Sequence, residues 1–134
     1  MRTKLAVVVA GIALLASART ITAHHSFSAE FDANKPFKMT GTVTKVEWMN
    51  PHTFFYIDVK DEKTGKVTNW AMEMGSPNGL MRAGWTRNTM KIGDQVTVEG
   101  SLAKDGSPTG NARSVVMVKT GQRLFAASSQ GNTP

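Results

Sequence analysis

Three histidines are the side chains best suited to chemistry in this sequence; His24 and His25 are adjacent, and His52 follows Asn50-Pro51. Imidazole nitrogens are ligands for Cu²⁺ and other first-row cations. A chain cleaved after Ala23 begins at His24, whose free amine and imidazole form a chelating pair. His25 or His52 then completes a nitrogen-rich site with the geometry of a histidine brace. The competing reading is structural: a short His-containing arm packs beside the first strand, and His52 caps the neighbouring turn through a ring nitrogen. Spacing along the chain does not choose between them, because it says nothing about approach in space.

A second candidate is the alternation Trp70, Met72, Met74, which sets two thioethers on one face of a strand where they offer soft ligands to Cu(I). This stretch resembles the small periplasmic copper chaperone of copper/silver efflux systems, which binds Cu(I) with Met, His and a neighbouring Trp. The spacing departs from that chaperone by one residue between Trp and the first Met, and the rest of the chain does not match it. Methionine also fills irregular cores, and eight of them spread along the chain favour that role. A third candidate is an aromatic ligand face of Trp48, Phe54 and Tyr56, suited to a saccharide or peptide. Phe27 and Phe31 lie upstream as candidates to cover those rings.

Catalysis has little support. No serine lies in a nucleophile-elbow pattern and no glycine-rich phosphate loop is present. The carboxylates Glu47, Asp58, Glu73 and Glu99 fall on strand positions that alternation points at solvent, although an isolated Glu73 between two methionines has the chemistry of a base. The expectation is a protein that is not an enzyme, with copper as the one cofactor its residues suggest.

The elements that would position these groups are strands. Phe37 to Trp48 is rich in Thr and Val, with Met39, Gly41 and Val43 on one parity and Val46 and Trp48 on the other. A strand changes faces like that only through a bulge or sharp bend. His52 to Lys60 is a second strand with Phe55, Ile57 and Val59 inward and Phe54, Tyr56 and Asp58 outward; the turn Asp61 to Lys66 leads to a third over Val67 to Met74. Ser76 and Pro77 then open a short helix that Gly84 can end. A fourth strand covers Gln95 to Leu102, and after the Gly-, Ser- and Pro-rich loop a fifth covers Ala112 to Lys119.

This order predicts a mostly β fold, a small five-stranded OB-like barrel with one short helix between strands three and four. A small open β-sandwich is the alternative. The expected organisation is a cleaved signal peptide over 1–23, an N-terminal arm over 24–36, the barrel domain over 37–121 and a flexible C-terminal tail over 122–134.

The signal-peptide expectation rests on Arg2 and Lys4 followed by the uninterrupted apolar run Leu5 to Ala16. Cleavage after Ala18 and after Ala23 compete. No later stretch approaches the roughly 20 apolar residues of a membrane span, so the expected locale is the periplasm or the exterior. Removing the basic residues Arg2, Lys4 and Arg19 lowers the formal charge from +6 to +3, too little to imply a nucleic-acid or acidic-lipid partner. The expected partner is an unknown periplasmic protein or a small ligand. With no cysteine, the chain has neither disulfides nor thiolate metal sites.

Taken together, His24-His25-Ser26-Phe27, Asn50-Pro51-His52, Asn69-Trp70, Ser76-Pro77-Asn78, Gly84-Trp85 and Gly93-Asp94-Gln95-Val96-Thr97-Val98 resemble the pattern of one family of small secreted bacterial proteins of unknown function. The resemblance covers nearly the whole chain after the signal. It implies export and a compact β domain, and it brings no reaction and no ligand.

Overall fold

The computed structural model of the chain describes residues 27–127. A four-residue helix, α1 (Phe27–Glu30), runs directly into the long strand β1 (Phe31–Glu47). Strands β2 (Phe54–Lys60) and β3 (Val67–Glu73), helix α2 (Pro77–Arg82), and strands β4 (Gln95–Ala103), β5 (Thr109–Met117) and β6 (Arg123–Phe125) follow. The sheet order is β3-β2-β1-β4-β5-β6 with antiparallel neighbours, and a short parallel pairing of β3 with β5 closes the first five of these into a ring, with β6 added on β5.

The ring depends on β1 serving two neighbours. Its first part pairs with β4 from Phe31 to Thr42, and its last part pairs with β2 from Thr42 to Glu47. The register slips between Val43 and Lys45, where the sequence predicted the change of face. Val43 is buried before the slip, while Val46 and Trp48 pack against the core after it. At Gly41 a Cβ would lie 2.6 Å from the Asp58 carbonyl oxygen, so glycine is what lets β1 pass this close to β2.

Inside the ring, Phe55 and Ile57 of β2, Met72 of β3, Val96 and Val98 of β4 and Val115 of β5 are fully buried. Phe54 and Tyr56 alternate with the buried pair on the outer side, as the period of two requires. Each large core side chain contributes about 1.5–3 kcal/mol through loss of apolar contact with water. Helix α2 starts as its sequence predicts: the Ser76 hydroxyl accepts from the Gly79 N–H at 3.2 Å, and Pro77 occupies the first turn. The helix buries Leu80 and leads to Trp85, which is 2% exposed.

Two boundaries differ from the sequence expectation. The second half of the expected arm is already strand, since Phe31 and Asp32 pair with Ala103 and Leu102 before an irregularity that ends at Pro36. The expected tail over 122–134 begins with a strand instead, β6, pairing with Ser114 to Val116 of β5. Both segments are too short to show a period, and tertiary contacts decide them. Phe31 is buried and stacks on Phe27 with ring centroids 5.7 Å apart, while Leu124 and Ala126 are buried and the Trp85 indole N–H donates to the Phe125 carbonyl at 2.8 Å. The signal-peptide segment, His24 and His25 lie outside the described residues.

Candidate functional site

The site forms where β3 meets β5. Glu73, the last residue of β3, is paired with Phe54 of β2 on one side and with Asn111 of β5 on the other. His52 stands in the loop between β1 and β2, just after a cis Asn50–Pro51 peptide bond. Two backbone bonds extend the β2–β3 ladder beyond the strands, Thr53 N–H to Gly75 C=O at 3.0 Å and Met74 N–H to Thr53 C=O at 2.8 Å. They fix the backbone that carries His52 beside the end of β3.

The result is a short contact between His52 Nδ1 and Glu73 Oε1, at 2.6 Å. Asn111 Nδ2 donates to the same oxygen at 3.4 Å. Glu73 and Asn111 are buried, 8% and 4% exposed, while His52 is half-buried. Burial pushes the Glu73 carboxyl above its ordinary value, and the Glu30 charge adds to that push; the His52 charge and hydrogen bond, with the Asn111 bond, pull the other way without cancelling it. Glu30 therefore lies in electrostatic reach of Glu73. Helix α1, which carries Glu30, is held to the end of β4 by the Lys104 N–H donating to the Glu30 carbonyl at 2.8 Å and by Lys104 Nζ on the Ser28 carbonyl.

Chemically, this is an imidazole backed by a buried carboxylate. No described group hydrogen-bonds Nε2 of His52, and no group of three or more His, Asp or Glu side chains able to hold a metal ion exists among the described residues. Next to it, the Thr53 hydroxyl is fully buried and has no hydrogen-bond partner among the described residues.

Residues 11–113 match the family of unknown function DUF6152. The chain belongs to that family. The DUF6152 match includes Glu30, His52, Glu73 and Asn111 and stops short of β6. No curated protein and no solved structure matches the chain.

The other residues singled out in this DUF6152 chain fall in different places. Met72 and Met74 are 0% and 1% exposed and pack in the core, the filling role that was their alternative. Trp70 packs partly against the same core. The three proposed face aromatics do not share one surface: Trp48 packs against the core, whereas Phe54 and Tyr56 lie on the outer side of β2. There the Tyr56 hydroxyl donates to Glu47 at 3.0 Å, and Lys45, ion-paired with Glu47, lies over the Tyr56 ring.

Glu73 corrects the expectation that it faces solvent. It does occupy the opposite face of β3 from Met72, but Asn111 and His52 cover that face at the junction of the ring. The sequence signal for Glu73 was its position between two core methionines. Asn111 had none, since it reads as the end of a Gly- and Ser-rich loop. Far from this site, where β4 begins and β5 ends, a shallow depression of about 320 Å³ is lined by polar groups including Lys91, Asp94, Gln95, Lys119 and Gln122.

Proposed function

We propose that this chain is an exported, non-catalytic binding module of the periplasm that holds Cu²⁺ with His24, His25 and His52 at the β3–β5 junction. The observation that carries the reading is the 2.6 Å contact of His52 Nδ1 with buried Glu73. Metal-binding histidines are typically oriented in this way, by a carboxylate on the ring nitrogen that does not touch the metal. Glu30 also acts on Glu73, so a second carboxylate lies in electrostatic reach of this end of the ring.

Position along the chain supports a joint site. His25 is two residues before α1 in the sequence, the nearest of the other two histidines to that helix. Helix α1 in turn carries Glu30, which acts on the carboxylate that holds His52. A nitrogen-rich set that includes the α-amine of His24 suits Cu²⁺ best among the common divalent ions. The shared β1 and the helix between β3 and β4 fit an OB-like barrel as the scaffold. A saccharide or peptide face has less support, because Tyr56 is engaged by Glu47 and Lys45 while Trp48 packs on the core.

The test is to export the protein without an N-terminal tag, read its first residue by mass spectrometry and titrate it with Cu²⁺. One equivalent per chain is expected, lost on acidification as protons compete with the metal for the ligand nitrogens. A first residue of Arg19, or undiminished binding after His24→Ala together with His52→Ala, would defeat the reading.

A further inference from the structure

We infer that Glu73, held by Asn111 across the β3–β5 pairing, is a positioning residue that fixes His52 in the tautomer protonated at Nδ1 and so presents the Nε2 lone pair to a metal cation. The use made of that lone pair rests on the binding reading above; the tautomer does not.

The hydrogen-bond inventory leads to this assignment. A neutral imidazole has one N–H and one lone pair, and whichever nitrogen donates leaves the other as acceptor. At 2.6 Å, His52 Nδ1 and Glu73 Oε1 must share a proton. Asn111 Nδ2 donates to the same Oε1, which marks that oxygen as an acceptor. With Glu73 ionised, Oε1 can only accept, so the proton in the short contact belongs to Nδ1. Nε2 is left with its lone pair. His52 keeps 24% of its side-chain surface open to solvent against 10% for Glu73, so the ring is the more accessible of the two.

The fold leaves the carboxylate little freedom to turn away. Glu73 lies between Phe54 and Asn111 in the ladder, and Asn111 is itself braced from behind. A Cβ on Gly100 would lie 1.9 Å from the Asn111 carbonyl oxygen, so β4 and β5 are already in close contact at that point. Orientation of the imidazole is thereby built into the closure of the ring, by residues that do not touch the ligand.

The experiment is long-range ¹H–¹⁵N NMR on the metal-free, full exported chain at about pH 8, above the ordinary histidine range. The expected spectrum shows His52 protonated at Nδ1 and bare at Nε2. A proton on Nε2 overturns the inference whatever the variants do. In parallel, Glu73→Gln keeps the side-chain volume and removes the negative charge. Folded Glu73→Gln is expected to bind Cu²⁺ about 10–100-fold more weakly than wild type, the usual effect of losing such a supporting group. Equal affinity in the two proteins overturns the positioning role. Should the wild-type chain show the Nδ1–H tautomer yet take up no Cu²⁺, the copper reading fails and the tautomer assignment stands.

Discussion

His52 and Glu73 stabilise each other unequally. The carboxylate is the more buried partner, so removing the imidazole leaves a charge in a poorly hydrated place without its nearest donor. His52→Ala is expected to lower unfolding stability by about 1–3 kcal/mol near neutral pH, read from urea denaturation. The pH dependence follows from the sign of the Glu73 shift. Its folded pKa lies above the ordinary 4.5, so its charge carries no penalty below that value, and stability is lost as pH rises through the folded pKa. Without His52, which pulls that pKa down, the loss extends to higher pH. The gap between His52→Ala and wild type should then be small at about pH 4 and grow as the pH rises through the Glu73 titration. A gap that narrows across the Glu73 titration would contradict this account.

Two local features differ in whether they reach the site. The Ser76 hydroxyl caps α2, and Ser76→Ala should cost about 1 kcal/mol in a denaturation experiment without disturbing His52, because the cap lies on the helix and not at the β3–β5 junction. Gly100 is the reverse case. Its missing Cβ is replaced in space by the Asn111 backbone, so Gly100→Ala must push β5 away from β4. Overpacking of this kind costs about 1–3 kcal/mol, and the displacement falls on the residue that holds Glu73. Gly100→Ala is thus expected to lower the urea midpoint and also to perturb the His52 imidazole signals. Ser76→Ala should do only the first.

At the scale of the molecule, β6 and α2 close one side of the ring together. The Trp85 indole N–H donates to the Phe125 carbonyl, and Leu124 and Ala126 point into the same core. Trp85→Phe retains an aromatic ring but leaves that carbonyl without its donor, with an expected loss of about 1–3 kcal/mol. Hydrogen exchange should place the damage in the β5–β6 ladder, at Leu124 and Val115, before it reaches β1 and β2. Uniform acceleration of exchange across the sheet would show that β6 has no separate stability.

Side-chain alternation and turn chemistry sufficed for much of this protein: the inward Phe55 and Ile57, the change of face in β1, the cap and first turn of α2, and the order of the first five strands. These are local properties, set by which face a residue takes and which backbone angles it tolerates. Tertiary structure decided what lies across from each strand. Residues 71–73 and 109–111 are far apart in the chain, and no period in either stretch encodes their parallel pairing. That pairing turns Glu73 from an outward strand carboxylate into a buried one, gives Asn111 a role, and brings His52 a fixed partner. Burial and hydrogen bonding depend on neighbours that only long-range closure supplies, so His52 and Glu73 were visible from the start while Asn111 and the arrangement of the three were not.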